Sequence, residues 1–582
     1  MTRIAVLRKD RCNPEGCGGY LCIKVCPINR TGKDCITKAD DNKPYIDEAL
    51  CTGCGICPHR CPFDAISIIN LPEALNNEPI HRFGPNGFAL YSLPMPLFGK
   101  VVGIMGKNGI GKSTAIKILA GVLKPNLGKD NAEFEELIEY FKGTEMQIFF
   151  EKVKQGNVKI AYKPQSVDQL AKSAEGKVIS LLKKVDEKNK LEEITSSLGI
   201  TDIMENDIST LSGGEMQRVA IAATVLKDAK VYIFDEPTSY LDIKQRLLVS
   251  KFIKNLANED TAVLVIEHDL IALDYIADLV HIMYGQENVF GIVSLPKSAR
   301  KGINTYLEGF LREENIRFRD AKIKFDIKPP TTNSKDNELT RWSQFKKTLG
   351  NFKLEANQGS INRHETVGVL GENAIGKTTF MKILAGVTKP DEGESGTDVK
   401  ISYKPQYLET SNELVATILI DAISKYNNEL IGPLNLKPLL TKTLDNLSGG
   451  QLQRVAIAKA LAADTELVLL DEPSAYLDVE QRLLVSKIIR NIAEQRGISI
   501  LVVDHDLVFL DYLSNRLLVF SGIPSKTGIA KGPFPMETGM NTLLKEVDIT
   551  LRREIESGRP RINKQSSQKD QEQKKSGRYY YS

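Results

Sequence analysis

Two parts of the chain repeat one rhythm of apolar and polar positions. VVGIM at 101–105 and TVGVL at 366–370 are unbroken apolar runs of strand length. Each is followed by a glycine-rich segment and then by STAIKILAG or TTFMKILAG, with apolar residues at helical spacing. VYIFD at 231–235 pairs with LVLLD at 467–471, and TAVLVIEHD at 261–269 with SILVVDHD at 499–506. Runs of this length without alternation are the mark of strands buried on both faces, as in parallel sheets covered by helices. The pattern predicts an α/β fold made twice.

The identity of the two copies extends beyond the strands. DEPTSYLDIKQRLLVSKFIKNLA from Asp235 and DEPSAYLDVEQRLLVSKIIRNIA from Asp471 agree at 16 of 23 positions. GKNGIGKST (106–114) pairs with GENAIGKTT (371–379), and LSGGEMQR (211–218) with LSGGQLQR (447–454), in the same order. A repeat of this kind is a duplicated domain. The expected organisation is a separate front domain at 1–75, copy one (cassette one) at 76–290, hinge one at 291–330, copy two (cassette two) at 331–522, hinge two at 523–563 and a polar tail at 564–582. From the first phosphate-loop glycine to the KPQ glutamine there are 59 residues in copy one and 35 in copy two. The surplus, around AEFEELIEYFKGTEMQIFFEKV, has helical spacing and predicts a helical hairpin insertion at about 126–158. The tail, NKQSSQKDQEQKKSGRYYYS, is polar enough to expect disorder until bound.

Composition narrows the class. With 77 Lys and Arg against 74 Asp and Glu, the net charge of +3 does not by itself call for nucleic acid. No apolar run reaches the roughly 18–20 residues of a membrane span, and MTRIAVLRKDRC has charges where a signal peptide needs an apolar core. A cytoplasmic, monomeric protein without a membrane partner is expected. All nine cysteines lie between Cys12 and Cys61, which in a reducing compartment points to bound metal.

The phosphate loops carry the first chemistry. Gly106, Asn108, Gly109, Gly111, Lys112, Ser113 and Thr114, with Gly371, Asn373, Gly376, Lys377, Thr378 and Thr379, fit the pattern that wraps backbone N–H groups around phosphates at a helix start. Lys112 and Lys377 are expected on the β- and γ-phosphates of ATP, and Ser113 and Thr378 on Mg²⁺. Ala374 stands where copy one has Gly109, at the cost of strain if that position needs positive φ. Asp235 and Asp471 end buried strands and are expected to support Mg²⁺, with Gln165 and Gln406 as further ligands; Glu236 and Glu472 are expected to orient and polarise water. His268 and His505, placed alike in both copies, are read as γ-phosphate sensors.

Cys51-x2-Cys54-x2-Cys57-x3-Cys61-Pro62 matches the run that binds [4Fe–4S] in bacterial ferredoxins, where the fourth cysteine serves the other cluster. Cluster one is then expected on Cys26, Cys51, Cys54 and Cys57, and cluster two on Cys12, Cys17, Cys22 and Cys61. Cys35 is left over. Zinc also takes CxxC pairs, but this spacing favours two [4Fe–4S] clusters in a ferredoxin-like α+β domain, with a structural role at least as well supported as electron transfer.

Phosphate loop, glutamine, LSGG, DEP and histidine together resemble the ABC ATPase family over about 80–290 and 335–520. That resemblance implies that each LSGG meets ATP on the opposite cassette: Lys112 and Ser113 with Ser448, Gly449 and Gly450, and Lys377 and Thr378 with Ser212, Gly213 and Gly214. It also implies an aromatic for adenine upstream of each loop, Phe83 and Trp342. With the cysteine domain, the insertion, both hinges, CPINRTGKDCI (26–36), CTGCGICPHRCPFDAISIINLP (51–72), HRF (81–83) and RPRIN (559–563), the chain resembles, end to end, the ABC class E ribosome-recycling ATPases, also called RNase L inhibitors. GCGGYLC and the short N-terminus look archaeal. The resemblance implies ATP-driven splitting of ribosomes after termination or stalling, beside a release factor or Pelota-type factor. It implies retention on the small subunit and a link to initiation factors. The alternatives are an ABC-F-like factor that does not split ribosomes and an ATP-regulated redox protein. Residues 297–328 hold nine Lys and Arg against five acids, and 551–582 nine against four, charge suited to ribosomal RNA phosphates.

Overall fold

The computed structural model describes residues 3–9, 11–47, 50–70, 78–84, 86–129, 132–167, 175–319, 322–323, 325, 337–396 and 399–581. The expected boundaries at 75/76 and 330/331 lie outside the described residues.

Each cassette is built on one sheet. In cassette one the strand order is 81–82, 89–90, 290–293, 279–286, 101–105, 262–266, 231–235 and 160–163, with 297–298 beside 279–286. In cassette two it is 345–349, 352–356, 527–535, 516–523, 366–370, 499–503, 467–471 and 401–404. The order is the same because the apolar runs are the same, and the central strands pair in parallel in both. The runs 101–105, 231–235 and 262–266 are buried at every position, as expected of strands covered on both faces. Strand 527–535 falls within residues assigned from sequence to hinge two, yet it is bonded antiparallel to 516–523.

Residues 134–140 and 145–154 form the two helices of the insertion, packed through Phe134, Phe141, Phe149 and Phe150. The front domain pairs strand 3–7 with 66–70 and 36–38 with 44–46. It is tied to cassette one at the turn beside Phe83. The buried Asn86 accepts from Ile46 N at 3.0 Å and donates to Ile46 O at 2.9 Å.

The tail is not a disordered polar segment, and that expectation is corrected. Gln568–Ser576 is a helix capped by Ser567, and Thr550 donates to Asp570 at 2.7 Å. The Tyr580 hydroxyl bonds Asp511, Tyr581 donates to the same carboxylate at 3.2 Å, and the Arg553 guanidinium lies over the Tyr581 ring. Two aromatic rings and a buried carboxylate offset the ordering entropy that polar composition alone could not.

Candidate functional site

Both phosphate loops close in the same way. Gly111 and Gly376, at φ 87° and 95°, sit just before helices Lys112–Leu119 and Lys377–Leu384. A side chain there would strike Phe88 in copy one and Phe352 in copy two. Lys112 Nζ donates to Gly106 O at 2.9 Å and Lys107 O at 2.6 Å; Lys377 Nζ donates to Gly371 O at 2.9 Å and Glu372 O at 2.5 Å. Burial, the larger influence, lowers both lysine pKa values against the pull of nearby carboxylates, Lys377 to about 8. Gly109 has φ 73° and Ala374 φ 54°, so the alanine occupies a left-handed conformation. Ala374→Gly is expected to stabilise cassette two by about 1 kcal/mol, read as a higher thermal midpoint; an unchanged midpoint would remove the strain argument.

Glu236 and Glu472 are the last residues of their DE pairs, and both have φ 48°. Non-glycine residues are held there only by their surroundings. Here Glu236 N donates to Ile266 O at 3.0 Å and Glu472 N to Val503 O at 2.8 Å. Gln165 Nε2 donates to Glu236 Oε1 at 2.7 Å, and Gln406 Nε2 to Glu472 Oε1 at 2.8 Å. His268 and His505 stand 3.4 and 3.5 Å from the same oxygens, with no well-formed hydrogen bond at either ring. Burial raises the pKa of each glutamate, but the adjacent histidine, glutamine and phosphate-loop lysine together outweigh it and hold each at about 2.

Asp235 and Asp471 are almost fully buried, and neither carboxylate oxygen of either has a formed hydrogen bond. The Ser113 and Thr378 hydroxyls lie close enough to favour the charged form, yet burial and the neighbouring glutamate raise both aspartates to about 6. An orphaned buried carboxylate beside a hydroxyl is a fit for a divalent cation. Behind them Lys163 Nζ donates to Asp235 O at 3.0 Å and Lys404 Nζ to Asp471 O at 2.7 Å. These two buried lysines were passed over in the sequence, although both precede the PQ dipeptide.

Ser212 and Ser448 cap helices Gly213–Val225 and Gly449–Ala462 in full capping boxes with Glu215 and Gln451, so Gly213, Gly214, Gly449 and Gly450 form their first turns. The cassettes meet reciprocally. Asn108 N donates to Asp478 Oδ2 at 2.9 Å, and Asn373 N donates to Asp242 Oδ2 at 2.9 Å. Each aspartate also caps its own helix, 479–496 or 243–254. The Leu-Asp repeat was the signal for these two residues, which the sequence reading did not place in the site.

The two positions expected to face adenine differ. Phe83 is half exposed and packs edge-on against His81. Trp342 is 1% exposed, donates to Asn357 O at 2.8 Å and lies edge-on to Phe380. The expectation that it stacks on adenine is corrected: the indole belongs to the core because its strand, 338–342, pairs with 359–362 over that core. Hairpin register places Leu349, paired with Phe352, where copy one has Phe83, paired with Phe88.

The cysteines gather around two cavities. One is lined by Cys12, Cys17, Cys22 and Cys61; the other by Cys26, Cys35, Cys51, Cys54 and Cys57. Two apolar-walled cavities, each with at least four thiols, fit iron–sulfur ligation. Cys35 is fully buried in the second, where burial, then Cys26 and Cys51, push its thiol up to about 12.

Part of the hinge charge is paired within the molecule. Arg300 pairs with Glu554 at 2.7 Å, Lys297 and Lys301 with Glu313, and Arg312 and Lys322 with Glu308. Arg559, 0% exposed, and Arg561 stand 3.0 and 2.7 Å from Asp274 of cassette one. Arg319, Arg559 and Arg561, which pair with acids outside the two segments, fasten the hinges, while Lys301, Arg312 and Lys322 remain more than half exposed. Among the described residues no helix is long and apolar enough to cross a membrane.

Comparison with known proteins gives three family matches: "ABC transporter" over 98–239 and 354–475, "possible Fer4-like domain in RNase L inhibitor, RLI" over 2–34, and "4Fe-4S binding domain" over 44–67. The chain is 43% identical to "ABC transporter E family member 1" of Arabidopsis thaliana, covering 100% of this chain and 99% of that protein. It superposes on a chain of a model of ribosome-bound archaeal Pelota and ABCE1 with TM-score 0.94 and 49% identity, covering 100% and 99%. It matches a crystal structure of archaeal ribosomal stalk protein aP1 with the archaeal ribosome recycling factor aABCE1 with TM-score 0.83 and 48% identity, covering 87% and 99%.

Proposed function

Since the chain belongs to the ABC class E family, whose archaeal members include a ribosome recycling factor, we propose that it is an ATP-driven recycling factor of the cytoplasm that separates ribosomal subunits. It is an ABC-type ATPase with ferredoxin-like [4Fe–4S] modules. The observation that carries the reading is the reciprocal contact of each phosphate loop with the other cassette's aspartate. A γ-phosphate at Lys112 then lies between cassette one and the Ser448 loop, and one at Lys377 between cassette two and the Ser212 loop. Binding favours closure and hydrolysis removes the bridge.

Ser113, Gln165 and Asp235, and likewise Thr378, Gln406 and Asp471, would hold Mg²⁺, which supplies charge neutralisation at the phosphates. Glu236 and Glu472 remain ionised through neutral pH and accept the proton of the attacking water, with Gln165 or Gln406 and the histidine orienting it. Phe83 stacks on one adenine, and Leu349 offers an aliphatic face to the other. Asp235 and Asp471 must shed a proton near pH 6 before they carry charge. Their raised pKa values make the nucleotide-free fold more stable as pH falls through 6, while ATP affinity in the presence of magnesium falls, by up to about tenfold per pH unit for each carboxyl. Calorimetric titration at pH 7, 6 and 5 would show it; equal affinity at all three would refute the assignment.

Two clusters are proposed, one on Cys26, Cys51, Cys54 and Cys57, the other on Cys12, Cys17, Cys22 and Cys61. Cys61→Ser should cost iron from the second, leaving the spectroscopic signal of the first; the reverse loss would refute crossed ligation. The front domain, hung from Asn86, moves with the clamp and acts beside a Pelota-type or release factor. The protein then stays on the small subunit, where initiation factors follow. The test is sedimentation of ribosomes incubated with the protein, such a factor and ATP. Conversion of monosomes to subunits is expected, and intact monosomes with both proteins active would end the proposal.

A further inference from the structure

The two ATP sites repeat one backbone arrangement but not one pattern of charge. Two residues beyond the aspartate that reaches the opposite phosphate loop, cassette one has Lys244 and cassette two has Glu480. The residue after the first phosphate-loop glycine is swapped to match, Lys107 in copy one and Glu372 in copy two. Lys107 Nζ stands 3.0 Å from Glu480 Oε2, and Lys244 Nζ 3.1 Å from Glu372 Oε1. The pairs complement each other only when cassette one meets cassette two.

Their surroundings differ more than their signs. Lys244 is 60% exposed and Glu372 30%, a surface pair of small energy. Glu480 is 18% exposed, and its other oxygen is taken by Arg319 of hinge one, through Nε at 3.0 Å and a second contact from Nη2. Arg319 is itself fixed. It donates from Nη1 to Tyr306 O at 2.7 Å and Leu307 O at 3.3 Å, at the end of hinge helix Ala299–Glu308, and its guanidinium lies over the Tyr306 and Phe318 rings. One carboxylate thus joins the phosphate loop of cassette one, the helix start of cassette two and hinge one. A largely buried arginine of this kind, with two N–H groups converging on one carboxylate oxygen, holds geometry as well as charge.

We propose that Glu480 is a positioning residue that makes hinge one read the nucleotide state of the site at Lys112 and not that of the site at Lys377. This rests on the ATP-site reading above. Closure at Lys112 brings Lys107 and Glu480 together and so sets Arg319 and the end of helix 299–308. The pair at the other site closes without engaging hinge one.

Hydrogen–deuterium exchange on the full chain, with and without a non-hydrolysable ATP analogue, tests this. In the wild type the analogue should protect 106–114, 371–379 and 299–319. Glu480→Gln should leave both phosphate loops protected and cut the protection of 299–319 about tenfold in exchange rate. Lys107→Gln, at an exposed position that does not endanger folding, should do the same. Lys244→Gln should leave 299–319 as in the wild type. The double variant K107E/E480K restores an ion pair to the phosphate loop but sets two cations together at Arg319, so hinge one should stay unprotected. Protection of 299–319 that survives E480Q and K107Q, or is lost equally in K244Q, overturns the relay. Phosphate loops that gain no protection even in the wild type overturn the ATP-site reading and the relay with it.

Discussion

Replacing Glu236 and Glu472 together by glutamine is expected to lower ATP turnover by about 10²–10⁴-fold, the range a positioned general base supplies. Glutamine keeps the acceptor oxygen for Gln165 or Gln406 and the shape of the strained turn at φ 48°, but it cannot take a proton from water. The doubly substituted protein should bind ATP and stay closed, so that it accumulates on ribosomal subunits. Phosphate release measured at saturating ATP decides the matter: a rate near that of the wild type would transfer the role of base to another group. Single substitutions add information. If each site fires alone, each should retain roughly half the rate; a single substitution as severe as the double one would show that the sites turn over in concert.

The second large effect concerns the fastening of hinge two. Asp274 lies on helix Leu270–Ile276, just after His268, and is 2% exposed. It faces Arg559 and Arg561 at ion-pair distance, although neither its oxygens nor the Arg559 nitrogens have well-oriented hydrogen bonds. Asp274→Ala leaves a fully buried guanidinium without a counter-charge, which costs about 3–5 kcal/mol. A fall of roughly 10 °C in the thermal midpoint of cassette one is expected, with hinge two exposed to protease. Asp274→Leu with Arg559→Met should recover most of the loss, because the cost lies in the unpaired charge and not in the missing pair. A midpoint for Asp274→Ala within 2 °C of wild type would show that solvent reaches the arginine.

What was legible in the sequence was short in range. A phosphate loop, a DE pair at the end of an apolar strand and an LSGG before a helix are each written in fewer than ten residues, and the structure has them at strand ends and helix starts. The cysteine grouping was legible in part: the two cavities gather the expected residues, but the second also takes in Cys35, which the spacing leaves over. Trp342 failed because an upstream aromatic has no fixed register until its hairpin forms; pairing, not proximity in sequence, puts Leu349 where copy one has Phe83. The tail failed because composition counts residues and ignores where three tyrosines can go. The ionic contacts at Glu480, Asp274 and Glu554 span from about 160 to 370 residues along the chain, counting the arginine and lysine partners, and no local pattern announces them.

At the phosphate loops the cassettes meet through few groups, two backbone hydrogen bonds to aspartates and an ion pair on each side, while helices 270–276 and 507–513 pack apolar faces behind them. Had the cassettes been separate polypeptides, such an interface would have to overcome the loss of free translation and rotation at every encounter. Because both are carried on one chain, each meets the other at an effective concentration on the order of millimolar, whatever the number of molecules in the cell. Closure is therefore first order and insensitive to dilution, and the joint can be weak enough to part again once the phosphate bridge is cut.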